Sequence, residues 1–181
     1  MLRSLLLYTA LVFGANAAFA GAIDFEAAKA NGLAKLVETE PTDLPDTAFL
    51  DAEGNEVTLA DYAGKALLLN FWATWCAPCR EEMPALDELQ GELGGEDFQV
   101  LTVATGRNAR TAIDKFYAET GVENLPILTD ARQQLARDMG VLGLPVTVLI
   151  SPEGKEVARL PGDADWASDA AKQVIRELTA P

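Results

Sequence analysis

The 181-residue sequence contains no histidine, and this absence excludes several kinds of active site. Ser-His and Cys-His nucleophile pairs, imidazole metal ligands and general acid–base catalysis by histidine are all ruled out. Positive charge is also scarce, because 14 Lys and Arg residues stand against 28 Asp and Glu residues, for a net charge of −14. Nucleic acid binding needs clustered positive charge, so we expect no nucleic acid partner.

Only the N-terminus carries an apolar run that approaches the length of a membrane span. A basic start, MLR, precedes the run SLLLYTALVFGANAAFA, which closes on Ala18-Phe19-Ala20. Small residues at this spacing favour a cleavable secretory signal over residues 1–20, with an uncleaved membrane anchor as the alternative. Both interpretations place the folded part outside the cytoplasm, where disulfides persist.

The remaining length suits one domain preceded by a short extension. Residues 22–38 carry apolar side chains at helical spacing, weakened by Asn31-Gly32. Residues 39–46, TEPTDLPD, contain two prolines and are interpreted as a linker. The sequence therefore predicts an extension and linker over residues 21–45 and the main domain over residues 46–181.

In the main domain, segments typical of strands alternate with segments typical of helices. A hairpin is expected about Glu53-Gly54-Asn55, and the apolar runs ALLLNFWA and FQVLTVAT have the length of buried strands. Helical patterns follow in REEMPALDELQGEL, NARTAIDKFYAETG and ARQQLARDMG, and the terminal helix in DWASDAAKQVIRELTA. PVTVLIS and KEVARLPG are expected to pair about a turn. This order predicts an α/β sandwich with a mixed sheet.

The only two cysteines, Cys76 and Cys79, lie in the stretch NFWATWCAPCREEMP. As a structural clamp, so short a ring would contribute only about 2 kcal/mol in the loop-entropy model. As a zinc half-site, the pair would need two further soft ligands, and the chain has no other cysteine and no histidine. Neither a staple nor a metal site therefore suits the pair.

Redox turnover suits the position of the pair between a buried strand and a helix. Cys76 is expected at the helix N-terminus, where unpaired N–H groups and the helix dipole favour a thiolate. Cys79 lies one turn further along and is expected to be shielded, so that it resolves the mixed disulfide that Cys76 forms. The sequence predicts thiol–disulfide exchange with no metal and no cofactor besides a Cys76–Cys79 disulfide.

The segment FWATWCAPCREEMPAL resembles the active-site segment of thioredoxin-like proteins, and more narrowly that of the exported TlpA/ResA group with its Trp-Cys-x-Pro-Cys motif. The likeness spans residues 46–181 and includes GLPVTVLI, and the tail LPGDADWASDAAKQVIREL is particularly similar to the TlpA branch. The resemblance implies a thioredoxin-like three-layer sandwich with an N-terminal β-hairpin extension. It also implies an extracytoplasmic thiol:disulfide oxidoreductase of the periplasm, free or anchored by its N-terminus to the inner membrane.

The resemblance assigns a substrate-docking role to residues near the cysteines. Pro145 matches the family's cis-proline, which faces the cysteine pair, and a cis bond would present the backbone of Leu144 to an extended substrate segment. From the residues alone, a trans proline that starts the strand VTVLI is equally open. Trp75 would cover apolar partner surface beside the attacking sulfur, whereas Trp72 is expected in the core.

Glu82 is the carboxylate that we expect to serve the cysteines. Cys79, Glu82 and Leu86 share one face of a helix, and Leu86 should face the core. Burial would raise the pKa of Glu82, which could then move a proton to or from Cys79. The alternative is a solvated glutamate like Glu81, but Glu82 matches the active-site glutamate of the ResA type. Asn70 stands where cytosolic thioredoxins carry a titratable aspartate.

The expected function is reduction of partner-protein disulfides. No histidine or cation lies between the cysteines to stabilise a thiolate further, which favours a reducing potential. The resemblance implies exported partners in cytochrome oxidase or cytochrome c biogenesis, among them copper-chaperone thiols, and a membrane electron donor. We expect a monomer. A thiol peroxidase and a non-catalytic thioredoxin-fold binding module are the alternatives.

Overall fold

The structure is a computed structural model, and it describes residues 23–180. The predicted export signal, residues 1–20, lies outside the described residues. Among residues 23–180, no helix has the length and apolar character that crossing a membrane requires.

Within the described part of the chain, strands and helices alternate from residue 66 to residue 150, as the sequence predicts. The strands are β1 Val37–Asp43, β2 Phe49–Leu50, β3 Glu56–Val57, β4 Ala66–Trp72, β5 Phe98–Thr105, β6 Leu128–Asp130, β7 Val146–Ile150 and β8 Lys155–Pro161. The helices are α1 Phe25–Ala30, α2 Ala77–Leu93, α3 Arg110–Thr120, α4 Gln134–Asp138 and α5 Asp169–Leu178, with one 3₁₀ turn at Leu59–Tyr62.

The strands form one mixed sheet in the order β1-β8-β7-β4-β5-β6-β2-β3. Strands β4, β5 and β6 run parallel, and β7 and β8 join antiparallel beside β4. Every residue of β4 is buried, as its apolar composition predicts for a strand covered on both faces. The expected pairs β2–β3 and β7–β8 are both present, so the mixed sheet and the hairpin extension are confirmed.

Two apolar layers cover the sheet, one on each face. One layer contains Leu68, Val100 and Leu149 from the sheet and buries apolar side chains of α1, α2, α3 and α5. The other contains Leu69 and Val103 and buries side chains of α4 and the 3₁₀ turn. Alternate residues of each central strand point to opposite layers, as the pleat requires. The result is the predicted three-layer α/β sandwich.

The helix predicted within residues 22–38 is present but covers only Phe25–Ala30, and the interpretation of residues 39–46 as a linker is wrong because residues 39–43 belong to β1. Helix α1 ends at Ala30, because Asn31 caps it and Gly32 adopts a positive φ of 119°. The chain then forms β1, which pairs with β8 at the edge of the sheet. An edge strand tolerates Pro41 because its outer side needs no ladder hydrogen bond. The segment before residue 46 therefore belongs to the same sheet as the cysteine strand.

Helix α4 is shorter than the pattern of residues 131–140 predicts. It begins at Gln134, after Gln133 in the left-handed region with a φ of 56°. Asp130, at the end of β6, accepts hydrogen bonds from the backbone N–H groups of Gln134 and Ala136 at 2.8 and 2.9 Å. These bonds satisfy the first donors of the helix, so the side chain at the strand end fixes where α4 starts.

Candidate active site

Cys76 and Cys79 form a disulfide at the start of α2, directly beyond the carboxyl end of β4. Cys76 is the N-cap residue of α2, and its sulfur accepts a hydrogen bond from the backbone N–H of Cys79 at 3.4 Å. The exposed fraction is 7% for Cys76 and 0% for Cys79. The outer sulfur thus lies at the positive end of the helix dipole, while the inner sulfur has no access to solvent.

The turn that leads into Cys76 is fixed by a side chain that sequence analysis missed. Asn108, in the connection between β5 and α3, accepts hydrogen bonds through Oδ1 from the backbone N–H of Thr74 at 2.8 Å and from its hydroxyl at 3.0 Å. Its own amide N–H donates to the Thr105 carbonyl at 2.9 Å. Asn108 belongs to the segment GRNAR, which has no phosphate-loop pattern, and its role depends on a contact 34 residues away in the chain.

Pro145 lies at the same end of the sheet as the cysteines. Val146 pairs with Phe71 near the end of β4, so the residue before Val146 stands beside the turn that carries Cys76. The Leu144–Pro145 peptide bond is cis, as the resemblance implies. An open groove of about 340 Å³ runs along this loop and is lined by Leu142, Leu144 and Pro145, among others.

The two tryptophans that flank the cysteine motif have different environments. Trp75 is 65% exposed, next to Cys76. Trp72 is buried and stacks on Tyr117 with ring centroids 6.0 Å apart, so it is a core residue as predicted. Leu142, on the loop before Pro145, is fully exposed. Exposed apolar surface therefore occurs on both loops at the cysteine end of the sheet.

Glu82 lies on the buried face of α2, one turn after Cys79, and only 3% of it is exposed. Its Oε1 accepts a hydrogen bond from Asn70 Nδ2 at 2.8 Å. Its Oε2 accepts two, from the backbone N–H of Ala164 at 3.2 Å and from the indole N–H of Trp166 at 3.1 Å. Both oxygens of the carboxylate are thus occupied by N–H donors from outside the helix.

Burial raises the pKa of Glu82 to about 7. Hydrogen bonds from Asn70, Ala164 and Trp166 oppose this shift because they favour the charged form, and the nearby negative charge of Asp163 adds to it. The group can therefore exchange a proton near neutral pH, which a solvated glutamate cannot do. Asn70 also donates to the hydroxyl of Thr147 at 3.0 Å, which ties the site to β7.

The position of Glu82 is predictable from its helical spacing, but the residues that surround it are not. Trp166 and Ala164 lie more than 80 residues after Glu82, at separations of 84 and 82. No local pattern marks a residue whose function is to donate a hydrogen bond to a distant carboxylate. Trp166 was part of the tail that resembles the TlpA branch, and that resemblance was the only signal at this position.

Comparison with known proteins places this geometry in a family. The AhpC/TSA family model matches residues 41–158. The ResA thiol-disulfide oxidoreductase of Bacillus subtilis is 34% identical over 124 residues, which is 68% of this chain and 68% of that protein. The chain belongs to this ResA-type family of thiol-disulfide oxidoreductases. A second ResA, from Geobacillus thermodenitrificans, is 40% identical over 111 residues, 61% of this chain and 63% of that protein.

Solved structures of similar proteins have the same fold. The pneumococcal exposed lipoprotein thioredoxin from Streptococcus pneumoniae is 34% identical, with a TM-score of 0.62 over 74% of this chain and 99% of that one. A thiol:disulfide interchange protein of the thioredoxin family from Chlorobium tepidum is 25% identical, with a TM-score of 0.63 over 78% of this chain and 99% of that one. The predicted thioredoxin-like fold is confirmed.

Proposed function

We propose that the protein is an exported reductant of partner-protein disulfides, with Cys76 as the attacking and Cys79 as the resolving cysteine. The observation that supports this assignment most directly is the difference between the two sulfurs. Cys76 caps α2 and retains some exposure, whereas Cys79 has none. A partner disulfide can meet only the first of them, and the second can react only with a sulfur already bound to its neighbour.

In the proposed reaction the reduced protein transfers two electrons and two protons to the partner. The Cys76 thiolate attacks one sulfur of the partner disulfide, forms a mixed disulfide with it and releases the other sulfur as a thiolate that takes up a proton. Cys79 then loses its proton, and its thiolate attacks the Cys76 sulfur. This step forms the Cys76–Cys79 disulfide and expels the second partner sulfur, which is protonated in turn. An external dithiol donor restores the reduced state by the same exchange in reverse.

Glu82 is proposed as the base that takes the proton from Cys79. It lies one turn beyond Cys79 on the buried face of the same helix. Its pKa of about 7 leaves it partly ionised at neutral pH and therefore able to accept a proton there. Return of that proton to Cys79 would assist the opening of the disulfide when the dithiol donor reduces the protein.

The loops around Cys76 are proposed to hold an extended partner segment. The groove along Leu142, Leu144 and Pro145 offers apolar surface next to the cysteine turn, along which an extended segment could lie. Trp75, the exposed residue next to Cys76, offers further apolar surface. We propose that the groove binds the strand-like backbone of the partner and that Trp75 covers its apolar side chains.

The direction of electron transfer, the cellular location and the partner proteins are proposed from the family resemblance and from the sequence of the N-terminus. The spacer Ala77-Pro78 supplies no charge that would stabilise a thiolate, which favours a reducing potential. The export signal supports a periplasmic location, free or membrane-anchored, and the family supports assembly proteins of cytochrome oxidase or cytochrome c as partners, including copper-chaperone thiols. A membrane dithiol protein is the proposed electron donor, and the enzyme is proposed to act as a monomer without a metal or a further cofactor.

Trapping with Cys79→Ser tests the proposal. This variant lacks the resolving sulfur, so we expect it to accumulate a mixed disulfide between Cys76 and its partner, identifiable by mass spectrometry after isolation from the exported fraction. Cys76→Ser is the matched control and should trap nothing. A wild-type rate of exchange with a model disulfide no greater than that of Cys76→Ser would support a non-catalytic binding module instead, and rapid consumption of peroxide by the reduced protein would support a thiol peroxidase.

A further inference from the structure

Two buried tryptophans of the same core layer differ in the hydrogen bonding of their indole N–H groups. Trp72 and Trp166 are both almost completely inaccessible to solvent and belong to the same apolar cluster. The indole N–H of Trp166 donates to Glu82 Oε2 at 3.1 Å. The indole N–H of Trp72 has no hydrogen-bond partner among the described residues. The core therefore accepts an unpaired indole N–H at one position and directs the other onto the active-site carboxylate.

The donors around Glu82 are not equivalent when the carboxyl takes up a proton. Asn70 can rotate its amide and present Oδ1, which has no hydrogen-bond partner in the described part of the chain, to the new O–H group. Trp166 and the backbone N–H of Ala164 can only donate. They therefore stabilise the ionised carboxyl under all conditions, and Trp166 is the only side chain that does so at Oε2 in the described residues.

The segment that carries Trp166 is itself attached to the cysteine end of the molecule. It forms the connection between β8 and α5, and the backbone N–H of Gly162 donates to the Pro145 carbonyl at 2.8 Å. The side chain of Asp163 pairs with Lys35 at 3.2 Å. Both contacts lie at the start of the connection, and the backbone N–H of Ala164 and the buried indole of Trp166 follow them onto Glu82 Oε2.

We propose that Trp166 is a positioning residue for thiol–disulfide exchange, whose indole N–H holds the Glu82 carboxyl in the ionised, acceptor form that takes the proton of Cys79. The inference rests on the proposed role of Glu82. It adds a residue of the C-terminal tail to the machinery of the cysteine pair, through the one side-chain donor to Oε2 in the described residues.

The surrounding charges agree with this role. Burial and the carboxylate of Asp163 both raise the pKa of Glu82, and the three N–H donors lower it. Lys35 offsets Asp163, since the two form an ion pair. Asn70, which contacts Glu82 from β4, and Thr147, the hydrogen-bond partner of Asn70 on β7, are neutral, and on α2 the cysteines of the disulfide do not titrate. Loss of the hydrogen bond from Trp166 is therefore expected to raise the pKa of Glu82.

Trp166→Phe and Trp72→Phe form a matched pair that tests the proposal. Each removes one buried indole, but only the first removes a hydrogen bond to Glu82. In the oxidised full-length protein, the pKa of the Glu82 carboxyl, followed by carbon NMR of labelled glutamate, should rise by about one unit in Trp166→Phe. The pH midpoint of the Cys79 resolution step should rise with it. Both quantities should stay at the wild-type value in Trp72→Phe.

A measurement on the unmodified protein covers the case in which Trp166→Phe does not fold. The indole N–H resonance of Trp166 should shift with the same midpoint as Glu82, while that of Trp72 stays constant. An unchanged Glu82 pKa in folded Trp166→Phe, an equal rise in Trp72→Phe, or a pH-independent Trp166 resonance overturns the proposal. A raised pKa without any change in the resolution profile would instead refute the proton-transfer role proposed for Glu82, and with it the part assigned to Trp166 in exchange.

Discussion

The sulfur of Cys76 accepts a hydrogen bond from the backbone N–H of Cys79, with 3.4 Å between the two atoms. The contact arises because Cys76 is the N-cap of α2, a position whose side chain normally satisfies an unpaired N–H of the first turn. On reduction, the same donor and the helix dipole would stabilise a thiolate at Cys76 and leave Cys79 as the thiol. The asymmetry between the cysteines is thus built into the helix terminus.

Replacing Glu82 by Gln is expected to slow the resolution step and to spare the first attack. A buried base contributes roughly 10²-fold or more to a proton transfer, so release of a model mixed disulfide from Cys76 should slow by about 100-fold near neutral pH. In the wild type this rate should fall as the pH drops below about 7, where Glu82 becomes protonated. Stopped-flow measurement of both steps separates them.

Glu81→Gln is the control for this prediction, because Glu81 is the exposed neighbour on the same helix. It removes the same charge without touching the buried network and should leave both steps unchanged. Equal slowing in the two variants would show that net charge, and not proton transfer by Glu82, governs the rate.

Glu82 should also make the stability of the protein depend on pH. Its pKa is about 7 in the folded state against 4.5 for the free side chain, so the folded state binds more protons between these values. The free energy of unfolding contributed by this group is therefore highest below pH 4.5 and falls as the pH rises through about 7. The loss amounts to about 3 kcal/mol.

Denaturant titrations of the wild type and Glu82→Gln at several pH values check this expectation. Other carboxyl groups titrate in both proteins and cancel in the difference. The stability of the variant relative to the wild type should increase as the pH rises, most steeply between 4.5 and 7. Parallel stability curves would mean that Glu82 titrates in the folded protein as it does in the unfolded chain.

The segment before the main domain should contribute to global stability. Leu36 is fully buried in the same apolar layer as the cysteine helix, although it lies in the region that the sequence assigns to an extension. Leu36→Ala should therefore lower the free energy of unfolding by about 2–5 kcal/mol. Val37→Ala, a truncation of the exposed next residue, should change it by no more than about 0.5 kcal/mol. Similar small effects in both would support the interpretation of residues 21–45 as an extension and linker outside the domain.

Features determined by local pattern were predictable from the sequence. The apolar run ALLLNFWA, the hairpin about Gly54 and the helix that ends at Gly121 all carry their own signals in neighbouring residues. The burial of Cys79, Glu82 and Leu86 followed from their helical spacing, and all three are buried. The cis bond at Pro145 needed the family resemblance, since the residues alone allowed both isomers.

Features determined by distant contacts were not predictable. Strand β1 has no buried residue, so it lacks the alternating apolar pattern that marks a half-buried strand. It contains Pro41 within the irregular stretch between Glu38 and Thr42, which a strand at the sheet edge tolerates. Asn108 and Trp166 act through single hydrogen bonds to residues far away in the chain. Such contacts become visible only when the topology brings the segments together.

The rate of alkylation of the two thiols in the reduced protein tests the central claim most directly. The reduced protein is alkylated with iodoacetamide for short, fixed times at a series of pH values, and the reaction is then quenched. Peptide mass spectrometry of the products gives the rate and the apparent pKa for each cysteine separately. We predict that Cys76 reacts faster and titrates below the free-cysteine value of about 8.5, whereas Cys79 reacts slowly and titrates above it. Equal rates, or faster labelling of Cys79, would contradict the assignment of Cys76 as the attacking cysteine.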